Sequence, residues 1–337
     1  GEILRATRGH DGMYSNQVLY SPCGRRVISA GDDHTVRVWD PASGALLASL
    51  EGHEDEVKLV SLTADGSRAL TTSPDGSIRL WNVTTGSPRR LAPPQPAPRA
   101  GGMLSSDGRT FAHRAKGRGR IELWRVRDES LLVGLPVDEE KAPRWSFDGS
   151  RDQRRAATTM GRDPIRIWDV ETGELTASCG ETSRGGPLRF SPDGMRLLAP
   201  SADTEHAFQL WDASTGEAIA LLQGHTQDVD IVVWSADGSR VLTASDDGTA
   251  RIWDGATGTA LAILRGHTEA VTCAACSADG RWVITGGEEG VALVWDAAAG
   301  RRLATLRAHK GEVTCVAFDA DGRRAMTAEE DGQTHIW

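Results

Sequence analysis

The sequence predicts an all-β protein, a closed eight-bladed β-propeller whose blades are four-stranded antiparallel sheets. Three observations carry this prediction: a tryptophan that recurs at a near-constant interval, four short strand-like segments in each interval, and chain ends that complement each other. Successive tryptophans lie 42, 43, 44, 43, 42, 42 and 42 residues apart. The eight positions are Trp39, Trp81, Trp124, Trp168, Trp211, Trp253, Trp295 and Trp337.

The repeat also predicts how many domains the chain contains. A unit of this size cannot bury its own apolar surface, so neighbouring units must cover one another. Residues 1–337, with eight repeats that end at the eight tryptophans, are therefore expected to form a single domain. A chain of this length would otherwise suggest two or more domains.

The sixth unit, Gly224 to His267, shows the strands and turns most clearly. Runs of apolar and β-branched residues alternate with Asp-Gly and Thr-Gly pairs, which favour tight turns. In chain order, the predicted elements are the strand Val229 to Trp234, the turn Asp237-Gly238, the strand Arg240 to Ala244, the turn Asp247-Gly248, the strand Thr249 to Trp253, the turn Thr257-Gly258 and the strand Ala260 to Leu264. No segment has a 3.6-residue apolar period, which predicts almost no helix.

Both outer turns of this unit recur along the chain. The turn after the first strand recurs at Cys23-Gly24, Asp65-Gly66, Asp107-Gly108, Asp148-Gly149, Asp193-Gly194, Asp279-Gly280 and Asp321-Gly322. The turn before the fourth strand recurs at Ser43-Gly44, Thr85-Gly86, Thr172-Gly173, Thr215-Gly216 and Ala299-Gly300. Four strands in about 42 residues match one propeller blade.

The two ends of the chain predict how the propeller closes. Gly1 to His10 aligns with Gly300 to His309, so the N-terminus supplies a fourth strand, which the last unit lacks. Glu2 to Thr7 is expected to pair with residues 333–337 and complete the last blade. This pairing would also cover a sheet edge that could otherwise recruit other chains.

Dipeptides at the ends of each unit resemble those of the WD-repeat family. Gly-His stands at Gly9-His10, Gly52-His53, Gly224-His225 and Gly266-His267, with Ala308-His309 as a variant. Trp-Asp stands at Trp39-Asp40, Trp168-Asp169, Trp211-Asp212, Trp253-Asp254 and Trp295-Asp296, with Trp81-Asn82 and Trp124-Arg125 as variants. The resemblance covers the whole chain and implies the same propeller fold.

The resemblance also implies a hydrogen-bonded network of His, Ser or Thr, Asp and Trp inside each blade. Its members are His10, Ser29, Asp33 and Trp39; His53, Thr71, Asp75 and Trp81; His225, Thr243, Asp247 and Trp253; His267, Thr285, Glu289 and Trp295; and His309, Thr327, Asp331 and Trp337. Such a set can satisfy its own donors and acceptors when buried. Near-copies in five units favour a structural role over a Ser-His-Asp hydrolase, which needs one exposed nucleophile.

Composition excludes several other classes of protein. The five cysteines are an odd number in a long chain, which favours a reducing, cytoplasmic location over a disulfide framework. Cys273 and Cys276 lack the partners of a zinc site, so no metal or cofactor is predicted. No apolar segment approaches the ~20 residues of a membrane span.

Abundant Ala and Gly with few Lys suggest a bacterial source, and ends at repeat boundaries suggest a domain of a longer protein.

The resemblance points to a partner-binding face made by the Gly-His loops and by the turns before the third strands. The residues at these positions are rich in carboxylates and contain no aromatic, which predicts a protein or peptide partner rich in Arg or Lys. The alternative is that these acids only solvate the rim. The candidate residues are Asp32, Glu56, Lys58, Asp228, Asp230, Asp246, Glu288, Glu312 and Glu330.

Units three to five depart from the pattern because they lose the network, and units three and four also gain positive charge. Residues 86–170 hold 17 Arg and Lys against 11 Asp and Glu, a net charge of +6, whereas the whole chain carries −9. Arg114, Lys116 and Arg118 lie in the most basic segment. This sector has either drifted or become specialised for contact, and nucleic acid is one candidate partner there. The overall acidity argues against nucleic acid.

The leading functional hypothesis is a non-catalytic protein-interaction scaffold or sensor module in a larger bacterial signalling or effector protein. The first alternative is nucleic-acid contact through the basic sector of repeats three and four. The second is a propeller enzyme with an unrecognised site, because fold alone does not fix function.

Overall fold

The computed structural model describes most of the chain, with gaps that are concentrated in the first half. The described residues are 5–8, 10, 15–20, 26–41, 43–57, 59–62, 67–75, 77–83, 85, 88–91, 103–105, 109–115, 120–125, 130–136, 145–161, 163–182, 186–307, 309–330 and 333–337. They contain β-strands and no helix, so the all-β prediction is confirmed. Within those ranges, accordingly, no helix is long and apolar enough to span a bilayer.

The strands form eight antiparallel sheets of four strands each, an arrangement consistent with a β-propeller, and we call the sheets blades one to eight. The first strand, β1 (Arg5–Arg8), belongs to blade eight. Blades one to four contain β2 (Ser15–Tyr20), β3 (Val27–Gly31), β4 (Val36–Trp39) and β5 (Leu46–Leu50); β6 (Leu59–Leu62), β7 (Arg68–Thr72), β8 (Ile78–Asn82) and β9 (Pro88–Leu91); β10 (Met103–Leu104), β11 (Thr110–Ala115), β12 (Arg120–Arg125) and β13 (Leu131–Pro136); and β14 (Trp145–Gly149), β15 (Arg155–Met160), β16 (Arg166–Asp169) and β17 (Leu175–Ser178).

The second half of the chain continues in the same order. Blades five to eight contain β18 (Arg189–Phe190), β19 (Arg196–Pro200), β20 (Phe208–Asp212) and β21 (Ala218–Leu222); β22 (Val229–Trp234), β23 (Arg240–Ser245), β24 (Thr249–Asp254) and β25 (Ala260–Arg265); β26 (Val271–Cys276), β27 (Trp282–Gly287), β28 (Ala292–Asp296) and β29 (Arg301–Leu306); and β30 (Val313–Phe318), β31 (Ala325–Glu329) and β32 (Gln333–Ile336). In blade six, β22 has its predicted bounds, and the other three strands each extend one residue further.

Blade eight is assembled from both ends of the chain. Strand β1 pairs antiparallel with β32, and the register runs from Arg5 opposite Ile336 to Arg8 opposite Gln333. The predicted pairing is therefore present from residue 5 onward, and residues 1–4 lie outside the described part. The sheet order β1-β32-β31-β30 gives β32 a partner on each side.

Apolar clusters join each blade to the next. Leu70 and Leu80 of blade two pack with Phe111 of blade three, for example. The same kind of cluster joins the last blade to the first, where Met326 and Ile336 pack with Trp39. Burial therefore lies between the sheets, as expected for repeats that cannot cover their own faces.

The turn of unit four differs from the prediction. Asp148 and Gly149 were expected to form the first turn, but both are the buried end of β14. Asp148 accepts a hydrogen bond from the Phe190 N–H of blade five at 2.7 Å. The turn falls a few residues later, where Gln153 has a positive φ of 60° and Ser150 donates to Asp152.

Candidate functional site

In blade six, four side chains form a buried chain of hydrogen bonds. His225 Nδ1 lies 3.0 Å from Asp247 Oδ2, and its Nε2 lies 2.9 Å from Thr243 Oγ1. Trp253 Nε1 donates to the same hydroxyl at 2.9 Å. The turn from β23 to β24 folds the chain back on itself, which brings Thr243 beside the tryptophan ten residues later.

The charges of these groups fix the proton positions. A carboxylate only accepts, so His225 Nδ1 carries the proton and Nε2 accepts from Thr243. Burial lowers the pKa of His225 and outweighs the opposing hydrogen bond and charge of Asp247, so the imidazole is neutral at pH 7. Burial alone would raise the pKa of Asp247. Hydrogen bonds from Thr249, Thr226 and His225 outweigh burial and lower that pKa to about 2.

Blades one, two and seven have the same geometry. In each, the His Nδ1 contacts a carboxylate, and its Nε2 shares a hydroxyl with the tryptophan. The distances, in the order carboxylate to His, His to hydroxyl and Trp to hydroxyl, are 2.8, 2.9 and 3.0 Å for His10; 3.2, 2.6 and 2.7 Å for His53; and 2.5, 2.7 and 2.9 Å for His267, whose carboxylate is Glu289. Burial lowers the pKa of each of these three histidines.

The network has a fifth member that the sequence argument missed. Thr249 Oγ1 donates to Asp247 Oδ1 at 2.6 Å and lies 3.3 Å from His225 Nδ1. Thr35 and Ser77 occupy the same place in blades one and two. The sequence does contain a pattern that could have predicted this member, because a Ser or Thr stands four residues before the tryptophan in each of these blades.

Blade eight keeps only part of this arrangement among its described residues. His309 Nε2 lies 2.6 Å from Thr327 Oγ1, which also accepts the Trp337 N–H at 2.9 Å. The predicted carboxylate, Asp331, lies outside the described residues. A second buried pair, unforeseen from the sequence, joins His335 Nε2 to Glu329 Oε1 at 2.9 Å.

Blades four and five both lack the complete network, but they differ in the hydrogen bonds that remain. In blade four, Trp168 Nε1 still donates to Thr158 Oγ1 at 2.8 Å, although the unit has no histidine. In blade five, Trp211 Nε1 and Thr182 Oγ1 are buried without a hydrogen-bond partner. Blade five therefore carries the cost of unsatisfied polar groups, ~1–3 kcal/mol for each group.

The network gives its hydroxyls a structural task. Thr243 is 2% exposed, and its hydroxyl oxygen accepts from the Trp253 N–H while its O–H donates to His225 Nε2. A nucleophile would need an accessible oxygen and nearby oxyanion donors. The arrangement instead fixes the loops, because Asp247 also accepts the Thr226 N–H of the Gly-His loop at 3.0 Å.

These fixed loops bring the predicted acidic positions together. We define the acidic loop face as Asp228, Asp230, Asp246, Glu288, Glu312 and Glu330. The backbone N–H of Asp246 donates to the carbonyl of Asp228 at 3.1 Å, which sets the two residues side by side. The same bond joins Glu330 to Glu312 at 3.0 Å, and Glu288 to Ala270 at 3.1 Å.

Like charges interact across this face. Burial raises the pKa of Asp246, and the neighbouring charges of Asp230 and Asp228 raise it further. Burial also raises the pKa of Glu312, with added effects from Glu288 of blade seven and Glu330 of blade eight. The neighbouring carboxylates disfavour the charged forms of Asp246 and Glu312, and a nearby cation would reverse that effect.

Among the residues that the structure describes, a histidine of blade five contacts this face. His206 Nδ1 of blade five lies 2.9 Å from Asp228 Oδ1 of blade six, and Asp228 is largely exposed. His206 has a positive φ of 57° at a position where Gly248 stands in blade six. Sequence reasoning missed this contact, because it joins two different repeats.

The structure describes only some of the other predicted contact residues. Asp32 and Glu56 are half-buried in blades one and two. Lys58, Lys116 and Arg118 lie outside the described residues, and Arg114 is described only as a backbone position in β11. Among the residues that the structure describes, no three His, Cys, Asp or Glu side chains are placed to hold a metal ion.

The repeats match a known family. The model of the WD domain, G-beta repeat, matches residues 1–40, 44–82, 216–254, 258–296 and 300–337. These segments cover more than half of the chain, so the protein belongs to this family. The longest unmatched stretch, residues 83–215, contains the units that lost the network.

Several curated proteins are similar over part of their length. The chain is 23% identical over 222 residues to autophagy-related protein 16 of Arabidopsis thaliana, covering 66% of the chain and 34% of that protein. It is 28% identical over 206 residues to human apoptotic protease-activating factor 1, covering 58% of the chain and 16% of that protein. It is 25% identical over 260 residues to the serine-threonine kinase receptor-associated protein of Dictyostelium discoideum, covering 74% of the chain and 83% of that protein.

The first two of these relatives are much longer than the matching segment, since the chain spans about a third and a sixth of their lengths. A solved structure, the computationally designed Ika8 protein, superposes with a TM-score of 0.80 at 24% identity. The superposition covers 100% of this chain and 99% of the designed protein. This likeness supports the fold.

Proposed function

We propose that this chain is a non-catalytic protein-interaction scaffold or sensor module that binds an Arg- or Lys-rich protein segment on its acidic loop face. The observation that carries the proposal is the enforced proximity of carboxylates in blades six to eight. Backbone bonds set Asp246 beside Asp228 and Glu330 beside Glu312. Neighbouring charges raise the pKa of Asp246 and Glu312, after the larger effect of burial.

The proposal includes a closed ring of eight blades in one domain, residues 1–337. The apolar cluster between blades eight and one supports closure, as does the contact between their first strands, β30 and β2. A closed ring holds the loops of successive blades at fixed separations. A partner can then engage several carboxylates without first ordering them, which lowers the entropic cost of binding.

Polar recognition on this face requires several contacts together. An exposed ion pair contributes only ~0.2–1 kcal/mol, so no single carboxylate can hold a partner. A segment with three or four cationic side chains would engage blades six, seven and eight at once. Such binding should weaken as salt increases, because exposed charges are screened.

The wider setting is also a proposal. A bacterial source and a cytoplasmic location rest on the Ala- and Gly-rich, Lys-poor composition and on the odd number of cysteines. A place within a larger signalling or effector protein is supported by the short share that this chain covers of two relatives.

Fluorescence anisotropy with a labelled peptide of alternating Arg and Gly residues tests the proposed face. The triple variant D228K/D230K/D246K should weaken binding at least about tenfold, because attraction becomes repulsion. The control E171K/E174K/E217K makes the same charge change at exposed positions outside the face and should bind within about twofold of the wild type. Equal weakening in both variants, or no binding by the wild type at low salt, would reject the proposal.

A further inference from the structure

The cleft between blades seven and eight differs from the equivalent cleft between blades six and seven. It contains a solvent-open cavity of about 210 Å³, whereas the neighbouring cleft holds only about 10 Å³. Trp282, Phe318, Trp337 and Leu303 line its walls, and Arg323 and Arg324 line it with exposed side chains. The cavity lies beside the turn after β30, at the opposite end of that strand from Glu312 of the acidic loop face.

A change of residue explains part of the difference. In blade six, Arg240 opens the second strand and donates to the Gly280 carbonyl of the next blade at 3.1 Å. Arg155 makes the same bond to Gly194 at 2.9 Å. Six blades have arginine at this position, and the residues are Arg26, Arg68, Arg155, Arg196, Arg240 and Arg324. Blade seven has Trp282 at this position. Its indole has a single N–H donor and cannot replace the forked set of donors of a guanidinium.

Other lining residues also differ between the two clefts. Phe318 stands where the neighbouring cleft has Cys276, and Ala325 replaces Val283. The open cleft therefore has aromatic walls with space between them. Trp282, Phe318 and Trp337 line this cleft and are each half-buried, so each remains partly exposed.

The charges beside the cavity favour a ligand of one sign. Within the described part of the chain, Arg323 and Arg324 are the only charged residues that line it. Asp321 of the same turn lies 3.9 Å from Arg323 but does not line the cavity, and both side chains are exposed. An exposed ion pair at this distance contributes little binding energy in water. The Arg323 guanidinium can therefore give up its contact with Asp321 and bind a ligand carboxylate instead.

We propose that this cleft binds an acidic peptide segment through one aromatic anchor residue, whose ring enters the cavity while neighbouring carboxylates engage Arg323 and Arg324. The cavity is smaller than the ~300 Å³ at which ligand pockets usually begin, and that size suits one large side chain. Aromatic anchors in such pockets dominate many protein interfaces. Ring edges and faces on the walls would add offset or edge-on contacts.

The proposal gives the protein a second binding surface, whose charge preference is opposite to that of the acidic loop face. It does not depend on the proposed function of that face. The variant D228K/D230K/D246K, which alters the acidic loop face, should therefore leave binding at the cleft unchanged.

A fluorinated peptide tests the cleft directly. The probe is Asp-Glu-(4-fluoro-Phe)-Asp-Glu, observed by fluorine NMR while the full chain is added. Its resonance should shift and broaden, and the dissociation constant should rise at least about tenfold in W282R, which restores the residue type of Arg240. R323E/R324E should produce a similar loss by removing the carboxylate partners.

Two controls make the result specific. R265E/R307E changes the same charge at exposed arginines that do not line the cavity, and should bind the probe within about twofold of the wild type. Replacing the fluoro-Phe with fluoro-Ala, or the four acids with Lys, should abolish the shift. Unchanged binding in a folded W282R, equal binding of the acidic and basic peptides, or no binding by the wild type would overturn the proposal.

Discussion

At the scale of single residues, the tryptophans of the repeat are chemically unequal although they look identical in sequence. Trp253 Nε1 has an acceptor in Thr243, whereas Trp211 Nε1 is buried without one. The indole ring contributes apolar burial in both blades. Its N–H contributes to stability only where a hydroxyl receives it.

Replacing each of these tryptophans with phenylalanine separates the two contributions. W253F should lower the free energy of unfolding by about 1–2 kcal/mol more than W211F, because only W253F breaks a buried hydrogen bond. Urea denaturation followed by circular dichroism measures both variants under the same conditions. Equal losses would show that the hydrogen bond to Thr243 adds nothing measurable.

Protonation gives the network a characteristic pH dependence. Burial lowers the pKa of His10, His53, His225 and His267, so the folded protein holds them neutral while the unfolded chain binds protons below pH 6.5. Their contribution is fully present above pH 6.5 and declines as pH falls toward the folded pKa values. The carboxyl groups of Asp75 and Asp247, with pKa values of about 2, lose theirs between pH 3.8 and about 2.

Urea midpoints measured between pH 8 and pH 4 should therefore fall progressively below pH 6.5. The variant H225Q has no titrating group at this position, so its midpoint should be lower at pH 8 and should depend less on pH. A wild-type midpoint that is flat from pH 7 to pH 4.5 would contradict neutral, buried imidazoles.

At the scale of strands and turns, the sequence predicted the strands and turns that recur from repeat to repeat. It did not predict the contacts between different repeats. Strand positions in blade six follow from alternating apolar runs and Asp-Gly turns. The predicted turn at Asp148-Gly149 was wrong because the Asp-Gly pair has the sequence of a turn but lies at the end of a strand. There the Asp148 carboxylate accepts the Phe190 N–H of the next blade. The contact between His206 and Asp228, and the cavity beside Trp282, depend on how neighbouring blades meet, which no single repeat encodes.

Two turn glycines with the same backbone conformation have different surroundings. Gly258 has a φ of 69°, and a Cβ there would collide with Ala220 of the preceding blade. Gly280 has a φ of 67°, but the nearest atom to its Cβ position, Ser235 Cβ, lies 3.9 Å away.

Alanine at each position should separate backbone strain from crowding between blades. G280A should cost about 1–2 kcal/mol, the usual penalty for a left-handed residue. G258A should cost a further 1–3 kcal/mol, roughly, because the added methyl group crowds Ala220. Thermal unfolding of both variants checks this, and a smaller loss for G258A than for G280A would contradict the packing of that turn.

At the scale of the whole molecule, stability depends on the last blade being completed by the first strand. Without β1, β32 would expose its outer row of backbone donors and acceptors. The packing of Met326 and Ile336 against Trp39 joins this blade to the first. Loss of β1 should therefore weaken a blade on which the proposed ring depends.

Deleting residues 1–8 should lower the urea midpoint and increase self-association, because an uncovered strand edge recruits other chains. Deleting residues 1–4 alone, which removes none of β1, serves as the control. Light scattering across a concentration series measures association. Identical midpoints and masses for the two deletions would show that β1 contributes nothing to closure.

The register of β1 on β32 also determines how the molecule responds to force. Arg5 lies opposite Ile336, so the chain ends of the two strands meet at the same end of the pair. Tension between the termini would load the Arg5 and Ile336 end first and peel the backbone hydrogen bonds in succession, as a zipper opens. In an optical trap, blade eight should therefore separate first and at low force, while the other seven blades bear load only after it has opened.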